Sequence, residues 1–290
     1  MQDDPRRRPI GVFDSGLGGL TVLRALHERL PCEDMVYFGD TARVPYGTKG
    51  EKTVRAFASQ DAGVLVEMGV KLVVVACNTA SAFALEHLRR VLPVPVLGVI
   101  EPGVAAALGV TRGGPIGVIG TSGTIRSGRY QDGLAAALPG RTIVARECPL
   151  FVPLVEEGLL GHAMTRMAAD EYLAPLLAAR VDTLILGCTH YPLLKDDIAR
   201  VMGPGVALVD SAEALAEAAD GLLAELSLRR RDGARSEAVD REGELSFVLS
   251  DIPWKFAEIG ARFLGKPIGE VRTVGLDEME EVGRRLAERA

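Results

Sequence analysis

Leu72-Val-Val-Val-Ala-Cys-Asn-Thr79 is a valine-rich apolar run closed by a cysteine and then by small amide and hydroxyl side chains. A short run with no polar face reads as a strand buried on both sides, as in parallel sheets. The polar residues after it mark its carboxyl end, where open α/β sheets bind their ligands. Leu184-Ile-Leu-Gly-Cys-Thr-His190 has the same construction. Both Cys77 and Cys188 are therefore expected at strand ends, where two thiols can face one small ligand from opposite sides.

Working outward, further apolar runs occur at Ile10 to Phe13, Met35 to Phe38, Val96 to Ile100, Ile116 to Ile119, Ile143 to Ala145 and Ala207 to Val209. The stretches Thr21 to Leu30, Glu51 to Met68 and Ser81 to Leu92 have apolar residues at helical spacing. Such alternation predicts an α/β protein with parallel sheets flanked by helices. Ile10-Gly-Val-Phe-Asp-Ser-Gly16 resembles Ile116-Gly-Val-Ile-Gly-Thr-Ser-Gly123, and the Cys77 run resembles the Cys188 run at nearly the same offset. Two similar lobes with a site in the cleft between them are the economical reading.

The repeat ends near Asp210. A helix is predicted over Ala212 to Leu228, a charge-balanced loop over Arg229 to Glu244, a strand at Leu245 to Leu249 and a proline-started helix over Pro253 to Leu264. The tail is expected to return to the first lobe, so that residues 1–101 with 211–290 form one lobe and 102–210 the other.

The chain has 290 residues, 48% of them hydrophobic and 25% charged, which suits two compact domains with a sizeable core. Its formal charge of −6 gives no field favouring nucleic acid or an anionic membrane, so neither is expected as a primary partner. The lead before Ile10 is basic but runs straight into a strand, unlike a secretory signal, and the apolar stretch 91–110 is broken by prolines and Glu101. Cysteines at 32, 77, 148 and 188 have no C-x-x-C spacing, so free thiols in a reducing cytoplasm are expected rather than disulfides or a zinc ribbon.

Asp14-Ser-Gly-Leu-Gly-Gly-Leu-Thr21 lies between a predicted strand and helix but has Thr21 where a dinucleotide fingerprint needs glycine. Gly47-Thr-Lys-Gly-Glu-Lys-Thr53 likewise misses Walker A spacing. What remains is a turn presenting Asp14, Ser15 and backbone N–H groups, suited to a small zwitterion or carboxylate, or simply a structural turn. Arg43-Val-Pro-Tyr-Gly-Thr-Lys49 reads as a fixed turn or a plain loop. His190 stands beside a candidate thiol; His27, His87 and His162 read as surface residues. Cys32 and Cys148 read as inert. Glu156 and Glu157 are equally placed to orient a base or cap a helix.

The motifs Phe13-Asp-Ser-Gly-Leu-Gly-Gly19, Val44-Pro-Tyr-Gly47, Ala76-Cys-Asn-Thr-Ala80, Cys148-Pro-Leu-Phe-Val-Pro-Leu-Val-Glu-Glu-Gly158 and Leu186-Gly-Cys-Thr-His-Tyr-Pro192 together resemble the glutamate racemases. Lys255-Phe256 and Arg262-Phe-Leu-Gly265 fit the same pattern. The resemblance implies cofactor-independent interconversion of L-glutamate and D-glutamate for peptidoglycan, in a homodimer. It implies Cys77 and Cys188 as the two acid/base catalysts, with Cys77 taking the proton from D-glutamate, and Asp14, His190 and Glu156 as their polar assistants. Asp14, Ser15, Pro45, Tyr46, Gly47, Asn78, Thr79, Thr121, Thr189 and His190 would hold the substrate. The rivals are a racemase of aspartate or a hydantoin, a protein that binds an acidic ligand without turnover, and a cysteine hydrolase using Cys188 and His190.

Overall fold

The computed structural model describes residues 4–230 and 242–289, so most of the predicted loop Arg229 to Glu244 lies outside the described residues. The chain opens with β1 (Ile10–Asp14), α1 (Leu20–Arg29), β2 (Met35–Gly39), α2 (Glu51–Glu67), β3 (Leu72–Val75), α3 (Asn78–Val91), β4 (Val96–Gly98) and α4 (Ile100–Val110). A second set follows: β5 (Ile116–Gly120), α5 (Ser122–Arg126), α6 (Arg129–Ala137), β6 (Ile143–Glu147), α7 (Phe151–Glu156), α8 (Ala163–Ala178), β7 (Thr183–Gly187), α9 (Lys195–Met202) and β8 (Ala207–Asp210). The chain closes with α10 (Ser211–Glu225), β9 (Leu245–Leu249), α11 (Phe256–Leu264), β10 (Val271–Thr273) and α12 (Leu276–Arg289).

These strands form two sheets, ordered β10-β9-β2-β1-β3-β4 and β6-β5-β7-β8, and every pairing is parallel. The internal repeat is therefore real at the level of topology: β2-β1-β3-β4 and β6-β5-β7-β8 have the same order. The register repeats too, Ile10 pairing with Met35 and Leu72 as Ile116 pairs with Ile143 and Thr183. In each sheet the order reverses direction beside the leading strand, between β1 and β3 or between β5 and β7. Connections there leave on opposite faces and open a crevice at the strands' carboxyl ends. β3 and β7 are buried along their whole length, so a wholly apolar sequence suits them.

The tail pairs β9 with β2 and β10 with β9, extending the first sheet. α10, capped by Asp210 accepting from Ala212 N–H at 2.8 Å, packs against both α1 and α4. Several predicted boundaries shift, among them the end of the helix expected over Ala212 to Leu228, which stops at Glu225. The Val96–Ile100 run ends as a strand at Gly98, because Ile100 already begins α4. Pro253 precedes α11 in a turn and is not its first residue. α3 begins at Asn78 rather than Ser81, since Cys77 itself caps it. β10 and α12 were not anticipated.

Candidate active site

Cys77 follows β3 at the N-cap of α3, where Ala80 N–H donates to its sulfur at 3.5 Å and the Ser15 hydroxyl lies 3.6 Å away. Burial pushes the Cys77 thiol up to about 12, with the Asp14 carboxylate adding to the effect; the Ala80 and Ser15 contacts pull the other way. The next residue, Asn78, is 3% exposed. Its Oδ1 accepts from the Tyr130 hydroxyl at 2.7 Å, while its Nδ2 is buried without a protein partner. Thr79 joins Thr121 and Thr124 in a cluster of hydroxyls 3.0–3.1 Å apart, which carries α3 of the first set onto α5 of the second.

The glycine-rich turn after β1 is built for close approach. A Cβ at Gly18 would lie 2.2 Å from Thr189 Oγ1 and 2.5 Å from His190 Nδ1, so only glycine lets this loop meet the turn after β7. Thr21 Oγ1 donates across the same seam to Thr189 O at 2.9 Å.

On the other side of the cleft, Cys188 Sγ lies 3.8 Å from His190 Nδ1, and His190 Nε2 lies 2.9 Å from Glu156 Oε1. Burial disfavours charge on the ring, but hydrogen bonds and charge from Cys188 and Glu156 override it and raise His190 to about 10. It is Glu156, and not Glu157, that makes this contact; Glu157 lies 3.8 Å from Lys255 Nζ at the surface. Phe263 of α11 stands edge-on to the imidazole, ring centroids 5.1 Å apart. Arg262 Nη1 donates to the Val155 and Glu156 carbonyls at 3.3 and 3.4 Å.

Both thiols line one cavity of about 280 Å³, a volume suited to a small amino acid rather than a nucleotide. Every residue that the family resemblance assigns to the site lines it except Asp14. Asp14 is 1% exposed and stands behind the wall, its carboxylate accepting from Gly16 N–H at 3.0 Å and from Thr189 Oγ1 at 3.4 Å. Burial raises its carboxyl above the ordinary range, against the charge of His190 and these donors. In this structure the Asp14 carboxylate supports Gly16 and Thr189, which line the cavity.

Tyr46 also has its polar tip engaged within the protein. It lines the cavity, but its hydroxyl is turned to Asp40 and to Asp61 Oδ2, the latter at 2.8 Å, and is not free for a ligand. Pro45 and Gly47 present the same loop to the cavity, and a Cβ at Gly47 would meet Thr121 Cβ at 2.6 Å. Val152 and Pro153 of α7 also line the site. Nothing chemical marks them in the sequence, because they contribute an apolar wall.

The remaining candidates lie elsewhere. Cys148 is fully buried, which pushes its thiol up, and Cys32 is half-buried. His162 is exposed and caps α8, whereas His27 and His87 are half-buried rather than on the open surface. A larger cavity of about 410 Å³, lined by Arg55, Glu86, His87, Arg90 and Arg129 among others, contains no thiol, so volume alone does not identify the site. Among the described residues no cluster of three or more His, Cys, Asp or Glu side chains is arranged to hold a metal ion.

Comparison with known proteins agrees with this arrangement. The family described as Asp/Glu/Hydantoin racemase matches residues 10–219. A glutamate racemase of Geobacter metallireducens is 49% identical over 274 residues, 94% of this chain and 99% of that relative. Among solved structures, the glutamate racemase of Francisella tularensis in complex with D-glutamate superposes with a TM-score of 0.86 at 37% identity, covering 94% of this chain and 99% of that one. The Thermus thermophilus glutamate racemase in complex with β-chloro-D-alanine gives 0.83 at 45% identity, covering 95% and 100%.

Proposed function

Because the chain belongs to the Asp/Glu/Hydantoin racemase family, we infer that its reaction is the interconversion of L-glutamate and D-glutamate, an isomerisation that supplies D-glutamate for peptidoglycan. The observation that carries the mechanism is that Cys77 and Cys188, from equivalent turns in two sheets, line one cavity. One sulfur takes the α-proton as thiolate and the other delivers a proton to the opposite face. After each turnover the pair is left with its proton on the other sulfur, loaded for the reverse direction.

The two sides are prepared differently. Cys77 is held as a thiol by burial, whereas Cys188 faces an imidazole that stays charged at neutral pH. The two sulfurs thus meet the substrate in unlike surroundings, one against an imidazole and the other in a buried helix cap. The α-carboxylate must accept charge as the proton leaves. The first-turn N–H groups of α3 are the donors that answer it, and Asn78 Nδ2 is left free to hold the carboxylate in the ground state and the transition state alike.

Incubating the purified protein with L-glutamate in deuterated water tests this reading. Optical rotation should fall to zero while deuterium enters the α-position; binding without turnover leaves rotation and label unchanged. L-aspartate run in parallel tests the rival substrate. Among the described residues no helix is long and apolar enough to cross a membrane, and we place the protein in the cytoplasm, where its substrate is made. Family membership is also the ground for a homodimer, which sedimentation checks.

A further inference from the structure

Tyr130 belongs to none of the groups assigned above, yet it touches the turns that carry both thiols. It lies on α6 and is fully buried. Its hydroxyl donates to Asn78 Oδ1 at 2.7 Å, one residue after Cys77. Its ring edge would lie 3.2 Å from a Cβ at Gly187, one residue before Cys188. On its other side a Cβ at Gly103 would lie 3.3 Å from both the ring and the hydroxyl. The ring thus occupies a slot between two glycines, one of them on the strand that ends at Cys188.

An Asn side chain has one acceptor and two donors on opposite sides of the amide. With Oδ1 engaged by the phenol, the amide cannot rotate without breaking that bond. Nδ2 is the group left without a partner, at a residue that lines the cavity. A buried donor of this kind is costly until a ligand oxygen meets it.

We propose that Tyr130 is a positioning residue for the reaction: it fixes the Asn78 amide so that its N–H groups face a substrate carboxylate, and it sets that donor relative to the Cys188 turn. The inference rests on the glutamate reading given above.

The test is Tyr130→Phe, which keeps the ring in its slot and removes only the hydroxyl. In steady-state assays in both directions, KM for L- and D-glutamate should rise about tenfold while kcat changes less than threefold. A general loosening of the fold would lower kcat instead. The second arm is a double-mutant cycle with Asn78→Ala. Tyr130→Phe should add nothing further once the amide is gone, because its effect runs through that side chain. An unchanged KM in Tyr130→Phe, or effects that multiply in the double variant, overturns the proposal. Wild-type protein that fails to racemise glutamate overturns the underlying reading instead, so the two failures are distinct.

Discussion

His190 is charged for reasons that can be removed one at a time. Its ring is buried, and Cys188 and Glu156 chiefly hold the proton there against that burial. Glu156→Gln keeps the shape and deletes one of these charges, so the ring should lose its proton at a lower pH. Activity is expected to fall roughly 10- to 100-fold at neutral pH, in the range of a positioned acid–base group. The alkaline limb of the pH–rate profile should move to lower pH, and the profile itself is the check. Stability follows the same sign. The folded value, about 10, lies above the ordinary 6.5, so the contribution is complete below about 6.5 and is lost as pH rises through 10. In Glu156→Gln that loss should be smaller and end at a lower pH, visible in denaturant midpoints collected from neutral to alkaline pH. The thiols make a plainer case. Cys77→Ser and Cys188→Ser each replace sulfur by a much weaker acid in the same volume, so racemisation should drop by about 10³-fold or more. Far-UV circular dichroism should be unchanged, since neither side chain carries the fold.

The loop between β2 and α2 is held by charges that sequence spacing does not reveal. Tyr46 has one proton and two carboxylate neighbours, Asp40 and Asp61. Burial, then the charge of Asp40, holds Asp61 well above the carboxylate range, while Arg43 and the phenol, which donates to Asp61, pull it back. Arg43 completes the group, Nε 2.7 Å from Asp40 Oδ2 and Nη2 3.0 Å from Asp61 Oδ1, with its guanidinium 4.0 Å over Phe57. Asp61→Asn keeps the side chain's shape and should retain activity, whereas Asp61→Ala should cost about 1–3 kcal/mol by stranding buried partners. A group whose folded value is raised gives stability below its unfolded value and loses it as pH rises. Asp61→Asn should therefore gain on the wild type as pH increases, which urea titrations at several pH values can read. Gly18→Ala acts on another loop: its methyl must displace Thr189 and His190, so turnover should fall at least tenfold with the circular dichroism spectrum preserved. The sequence carried the strands, because runs such as Leu72 to Ala76 are apolar throughout, and it carried the thiols, because each closes such a run. It did not carry the direction of the Tyr46 hydroxyl, whose partners lie in another loop and a helix. Nor did it carry Cys77 as a cap, since sulfur is not among the usual capping atoms.

At the scale of the molecule, the cleft works only if the two sheets keep their relation, and several features tie them together. One hydrophobic cluster runs without a break from Ile10 and Val12 of β1, through Val118 of β5 and Ile185 of β7, to Leu249 of β9. α10 leaves the second sheet and packs between α1 and α4, and the chain then returns to complete the first sheet with β9 and β10. The first lobe cannot be finished without chain that has passed through the second. α11 adds a further tie by placing Arg262 on the α7 carbonyls and Phe263 on His190. A chain of this size with two sheets is a natural candidate for stepwise unfolding, since separate cores ordinarily melt separately. The shared core argues for the opposite outcome, a single calorimetric transition with coincident near- and far-UV circular dichroism curves. Its heat-capacity change should be about 4 kcal/mol/K, from roughly 12–15 cal/mol/K per residue over the whole chain, and about half of that would mean one lobe melting alone. Glutamate bound in the cleft contacts both lobes, so saturating ligand should raise the transition temperature without splitting the peak. A second peak that ignores the ligand would show that the lobes are held together by less than this packing implies.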